Sequence, residues 1–249
     1  MLLVLPPSET KRDGGASDSV LDLSALGFEE LVAPRRGALA ALARLSRSVS
    51  GSMAGLGLGV TQRDEIDRNR AIRSSPTMPA LQRYTGVVYD GLDYPSMSAQ
   101  QRVFAAQHVA VHSALFGLLR ADDPIPAYRL SHDSRLPGLK LRTHWRGPIS
   151  SALASRNTLV LDLRSEAYTA LGPTPEGSWY LRVVSEDEAG RRVALSHFNK
   201  KAKGEFTRAV VEAGIAHDTI DSLLQWARSR GIQLEFGAPG EVELVLRSH

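Results

Sequence analysis

TLVLDLRSEAY, residues 158–168, decides the fold. TLVLDL (158–163) is a short leucine and β-branched run, the pattern of a strand buried in the middle of a sheet. The residues after it turn towards helix: Ser165 suits an N-cap and Glu166 its first turn. MLLVL (1–5) repeats the pattern and is stopped by Pro6 and Pro7. PSETKRDGGASD (7–18) is polar and glycine-bearing, hence a loop. Two chain segments therefore end as strands and open into polar turns. Ligands of sheet proteins gather at such ends.

The second half is the β-richer one. WYLRVVSE (179–186) and RRVALSHF (191–198) flank DEAG (187–190) as a hairpin, and IQLEF and EVELVLR (232–247) form another around GAPG. Helices are expected over 36–50, 61–73, 199–214 and 217–230. Residues 78–92 read as helix up to Gly91, which suits a C′ cap. Ser98 caps a long helix expected over 98–120, ended by the prolines of DDPIPAYRL. SMAGLGLG (52–59) lacks the lysine of a phosphate loop and no strand precedes it, so it is expected to be a flexible connection. There is no internal repeat. The expected fold is one α+β, or mixed α/β, domain over residues 1–249 with a central mixed sheet and flanking helices.

The 249 residues carry 43% hydrophobic side chains and a net charge of +3, enough for a sizeable core and permissive of a nucleic-acid partner. The chain contains no cysteine, which excludes disulfides and thiolate chemistry. No apolar run reaches membrane length, and a cytoplasmic protein without membrane partner, metal or cofactor is expected. His108 and His112 have metal-ligand spacing, but HVAVH lacks the glutamate of a zinc motif, so both read as structural.

Cations gather in LSHFNKKAKGEFTRAVVE (195–212). On a helical wheel Phe198, Ala202, Phe206, Ala209 and Ala213 share one face; Lys200, Lys201 and Arg208 lie opposite, with Lys203 at the edge. Gly204 sits amid the polar face at a cost of about 1 kcal/mol against alanine. Either another element packs on its backbone, or a phosphate approaches there. Asn199 can cap this helix, whose free N–H groups favour anions. Ser8, Glu9 and Lys11 in PPSETK fit a nucleophile–base pair or a plain surface ion pair. Asp162 and Arg164 project where their strand ends, and Tyr128, Arg129, Arg135 and Lys140 fall in a proline-ruled loop.

In order along the chain, PPSETK, YTGVVYDGLDY (84–94), SALFGLLR and IPAYRL (113–130), HW (144–145), LVLDLRSEAY (159–168) and SHFNKKAKGEFTR (196–208) resemble the YaaA family of bacterial peroxide-stress proteins, over nearly the whole chain. Two motifs depart from the family pattern: PPSETK stands where S-P-A-K-T is usual, and FNKKAKG where Y-A-K-K-A-R-G is usual. The resemblance implies a compact α/β domain with a positively charged cleft and a helix–hairpin–helix element. It also implies binding of double-stranded or branched DNA without strong sequence preference. Lys200, Lys201 and Lys203 match the family's lysines, Lys11 that of the first motif, and Arg120, Tyr128 and Arg129 the R…YRL block. YDGLDYPSMSAQQR is the hairpin candidate, with Gly91 and Leu92 in its turn and Ser98 capping the second helix. On this reading Lys11, Arg120, Arg129, Arg164, Asn199, Lys200, Lys201, Lys203 and Arg208 hold phosphates, while Tyr128 and Trp145 stack on bases. The rival reading is an enzyme acting on a nucleotide or another anionic small molecule, with Ser8, Glu9, Lys11 and Asp162 as catalytic candidates. An enclosed pocket holding carboxylates favours the enzyme, and a long open basic groove favours DNA.

Overall fold

A computed structural model describes residues 1–186, 191–194 and 198–247. The first half runs β1 (Leu2–Leu5), α1 (Val32–Leu45), α2 (Val49–Leu56), α3 (Asp64–Arg70), β2 (Met78–Pro79), α4 (Ala80–Arg83), α5 (Val87–Leu92), α6 (Ala99–His108), β3 (Val109–Ser113), β4 (Gly117–Arg120) and β5 (Pro124–Ile125). The second half runs α7 (Leu141–Ala154), β6 (Val160–Asp162), α8 (Glu166–Thr169), β7 (Trp179–Glu186), β8 (Arg192–Ala194), α9 (Phe198–Ala213), α10 (Ile220–Ser229), β9 (Leu234–Phe236) and β10 (Glu241–Arg247).

Eight strands form a mixed sheet ordered β4-β3-β1-β6-β7-β10-β9, with β8 joining β7 beyond the end of β6. The pairings β3–β1–β6–β7–β10 are parallel, while β4, β8 and β9 add antiparallel edges. Every residue of β1, β3 and β6 is buried, which is why those segments lack polar alternation. The first strand and the central strand stand as expected, as does the β9–β10 hairpin. Strands β7 and β8 pair as expected too; the DEAG turn between them lies outside the described residues.

Three expected elements are corrected. The long helix over 98–120 ends at His108, and VAVHS becomes β3, alongside β1. A run buried on all sides shows no helical or strand period, so apolar residues alone do not separate the two; the β-branched Val109 and Val111 take the strand. The helix ascribed to 78–92 breaks into β2, α4 and α5. Gly91 lies inside α5, and the left-handed residue ending it is Asp93, φ 47°. Finally, the expected connection at 52–59 is largely α2, capped by the Ser48 hydroxyl, which accepts from the Gly51 N–H at 3.0 Å.

Helices α9 and α5 meet with almost no space between their backbones. A Cβ on Gly204 would stand 2.0 Å from the Val88 carbonyl oxygen, and one on Gly91 would stand 2.8 Å from that of Lys201. Gly204 is therefore a packing glycine, the first of its two sequence readings. This contact, with the packing of α9 on β7, brings the start of α9 to the chain segments that leave β1 and β6. Among the described residues no helix is long and apolar enough to cross a membrane.

Candidate functional site

The chain leaving β1, the chain leaving β6, the start of α5 and the start of α9 enclose a cleft of about 850 Å³. Pro6, Ser8 and Glu9 form one wall; Ser165, Glu166 and Tyr168 form the floor beyond β6. Asn199, Lys200 and Lys203 come from α9, and Tyr180 and Arg182 from β7. Ser131 and His132 close the side next to the 126–140 loop. Two carboxylates therefore face three cations. Arg182 is held by Glu241 at 2.6 Å, whereas among the described residues no carboxylate lies within 4 Å of Lys200 or Lys203.

The two α9 lysines differ in solvation. Lys200 is exposed, whereas Lys203 is 4% exposed. Among the described residues the Lys203 ammonium makes one long hydrogen bond, 3.4 Å to the Arg164 carbonyl, and lies 5.1 Å from the Tyr180 ring centre. Burial pushes its pKa down to about 8. The amide oxygen of Asn199 is buried and has no hydrogen-bond partner. The cleft thus presents an unsatisfied acceptor and an under-coordinated amine within five residues of one helix. Such groups are costly to bury without a ligand.

Beneath the wall, Lys11 is anchored rather than open. Its Nζ donates to the carbonyls of Ser8 (2.9 Å) and Glu9 (3.2 Å) and stands 4.1 Å over the Tyr128 ring. Burial pushes Lys11 down to about 7. Its contact is with the Ser8 carbonyl, not the hydroxyl, which instead meets Thr10; the Ser8–Lys11 nucleophile–base pairing is not formed. Glu9 pairs with Arg129 at 2.6 Å, and the Arg129 backbone exchanges two hydrogen bonds with the Asn69 amide. Of Lys11, Arg129 and Lys200, only Lys200 lines the cleft; Lys11 and Arg129 hold Ser8 and Glu9 in its wall from outside.

Asp162 and Arg164 lie below the floor. Arg164 grips Asp162 with two side-chain bonds, 2.8 and 2.6 Å, and donates to His112 Nδ1 at 2.7 Å. That bond leaves the His112 proton on Nε2, which has no partner, and burial holds its pKa well below the usual imidazole range. Asp162 also accepts from Thr169. With its oxygens occupied, the Asp162 carboxylate is a counter-ion and does not reach the cleft. Below the Lys11 wall, Tyr128 bridges the Tyr84 hydroxyl (2.7 Å) and Ser113 (2.6 Å).

Other sequence candidates go elsewhere. Trp145 is fully buried and donates to the Ala114 carbonyl, and Tyr128 is 1% exposed, so neither ring can stack on a base. Arg120 pairs with Asp123 at 3.1 Å beside a separate depression with Phe28 and Arg156. Arg208 donates to the Asp93 carbonyl at the end of α5, and Lys201 pairs with Glu205. Gly91 and the buried Leu92 face α9 and the core; Ser98 caps α6 in a capping box with Gln101. Nor do His108 and His112 share a helix face, since His108 ends α6 and His112 lies in β3.

Sequence reasoning missed Tyr180, Arg182, Glu166 and His132. Glu166 and Tyr180 come level with the other walls only because β7 starts where β6 ends, with Asp162 opposite Tyr180. No local signal announces that register. Tyr84 and Tyr89 belong to the YTGVVYDGLDY motif, and the Tyr89 hydroxyl holds the Pro6 carbonyl at 2.8 Å.

A family model described as peroxide stress protein YaaA matches residues 1–235. A UPF0246 protein of Corynebacterium glutamicum strain R is 40% identical over 94% of this chain and 95% of its own length. One from Corynebacterium efficiens is 39% identical over 99% of both chains. The Streptomyces coelicolor UPF0246 protein is 37% identical over 97% of this chain and 94% of its own.

Proposed function

The chain belongs to the peroxide stress protein YaaA family, and we propose that its cleft binds one nucleotide-sized phosphorylated ligand, the phosphate lying between Lys200 and Lys203. The observation that carries this reading is the buried Lys203 amine, which lines the cleft without a carboxylate within 4 Å among the described residues. An anion supplies the missing partner and relieves the desolvation. The volume, about 850 Å³, lies within the span of small-molecule sites. Glu9 and Glu166 line the same space, an arrangement that repels a continuous phosphodiester backbone while accepting hydroxyl or amino donors from a small ligand. The reading is set in the cytoplasm.

A second reading, non-specific DNA binding that protects DNA during peroxide stress, is favoured by one observation. Lys200 and Lys201 are adjacent and exposed in the first turn of α9. There they could meet a duplex backbone lying across the cleft.

Thermal unfolding with a panel of nucleoside monophosphates, inorganic phosphate and a short duplex tests both readings, because a ligand that binds only the folded state raises its stability. The first reading expects stabilisation by a mononucleotide that is lost in Lys203→Met. Stabilisation by duplex alone overturns it in favour of the second.

A further inference from the structure

Two lysines are buried at this site, and they differ in what they touch. An ammonium has three N–H donors. Lys11 directs its donors to two carbonyls and the face of Tyr128, and it does not line the cleft. Among the described residues Lys203 makes one hydrogen bond, 3.4 Å long, stands 5.1 Å from the Tyr180 ring centre, and does line the cleft. Lys200 stands one turn before it on the same helix, the spacing at which two side chains reach a common ligand.

We propose that Lys203 is a carbonyl-reactive amine that forms an imine with a phosphorylated aldehyde held in the cleft. The proposal rests on the anion-binding reading above. Three features support it. The amine is desolvated and has no carboxylate within 4 Å among the described residues, Asp162 and Glu166 acting on it only from farther off, an environment that favours the nucleophilic free amine. With its pKa near 8, a substantial share is unprotonated in mildly alkaline solution. Lys200 and the unpartnered Asn199 amide can fix the phosphate and a neighbouring hydroxyl, so that the carbonyl carbon is brought to Nζ.

The step balances without an oxidant. The Nζ lone pair attacks the aldehyde carbon, and the carbonyl π pair moves to oxygen, which takes a proton. The carbinolamine then loses water, and the nitrogen lone pair completes the C=N⁺ bond. One amine, one aldehyde and one proton from solvent give one iminium and one water. The same ligand chemistry has two sources: a free sugar phosphate such as 2-deoxyribose 5-phosphate, or an abasic site in DNA, where that sugar phosphate sits within a strand.

The test traps the imine with sodium borohydride, whose hydride converts it to a stable secondary amine. The full chain is incubated near pH 8 with 2-deoxyribose 5-phosphate in one arm and with a duplex holding one abasic site in the other. Peptide mapping then locates the adduct. Lysines occur only at 11, 140, 200, 201 and 203, so assignment is direct. The expected result is a borohydride-dependent adduct at Lys203, lost in Lys203→Arg, which keeps the charge but cannot form an imine. Lys200→Ala weakens capture and leaves the adduct at position 203. The arm that reacts faster identifies the source. No adduct in either arm, or labelling spread evenly over Lys140, Lys200 and Lys201, overturns the proposal. Mapping on the unaltered chain keeps the result independent of how any variant folds. If mononucleotides still stabilise the chain while no adduct forms, the imine alone is wrong; if neither occurs, the binding reading fails with it.

Discussion

Gly204 lies against Val88 so closely that a Cβ on the glycine would stand 2.0 Å from the Val88 carbonyl oxygen. Backbone faces backbone there, and neither side can swing away as a flexible side chain could. The pair fixes α9 on α5 and thereby places Lys200 and Lys203 opposite the wall that follows β1.

Gly204→Ala should therefore destabilise the chain, although alanine favours helix by about 1 kcal/mol over glycine. Overpacking of this kind costs about 1–3 kcal/mol. Urea denaturation of the variant measures it. An unchanged or raised midpoint would show that the α5–α9 contact does not hold α9 in place.

Asp162→Asn should cost about 3–5 kcal/mol, because it leaves the fully buried Arg164 guanidinium without its counter-ion. Asp162 does not line the cleft, so its loss should not abolish mononucleotide binding by the folded fraction; its charge favours the ammonium form of Lys203, so affinity should fall modestly. Denaturation and calorimetry on the same sample separate the two effects. A stable variant with lost binding would make Asp162 part of the site after all.

The Lys203 amine makes a signed prediction about pH. Its folded pKa, about 8, is depressed below the ordinary lysine value of 10.5. Between those values the unfolded chain binds more protons than the folded one, so this group's contribution to stability rises with pH. Below the folded value both states are protonated and the contribution is flat. The unfolding free energy of the unaltered chain minus that of Lys203→Met should climb from about pH 8 to about pH 10. A difference that stays level across that window would mean that Lys203 is solvated or paired.

Lys200 and Lys201 are neighbours with different assignments. Lys201 points away to Glu205, while Lys200 lines the cleft. Lys200→Ala should weaken mononucleotide binding about tenfold, the loss of one charge-assisted hydrogen bond, whereas Lys201→Ala should leave it unchanged. Duplex binding across the mouth predicts otherwise: both substitutions would lower affinity, each reducing the salt slope by about one.

Much of this architecture was legible where burial is symmetrical. MLLVL and TLVLDL read as central strands because both faces of each are covered, leaving no polar period to confuse the pattern. The same symmetry hid β3: VAVHS continues the apolar content of α6 without a break, and only its place beside β1 makes it a strand. At the site, the edge position of Lys203 on the helical wheel foreshadowed its separation from Lys200 and Lys201, since an edge residue is the one a neighbouring wall can cover. Arginines gave the poorest guidance. Arg120, Arg129, Arg164 and Arg208 all serve carboxylates or carbonyls of their own chain, a use that composition does not distinguish from phosphate binding. Trp145 likewise looked available for stacking, yet the space over Gly117 that its ring fills lies in the core.

The most direct test of the central claim is a calorimetric titration of the unaltered chain and of Lys203→Met with a nucleoside monophosphate, after unfolding curves establish that both are folded. The account predicts one saturable site in the unaltered chain and affinity at least tenfold weaker in the variant. Equal affinity in the two proteins would contradict it, because the phosphate would then have no need of the buried amine.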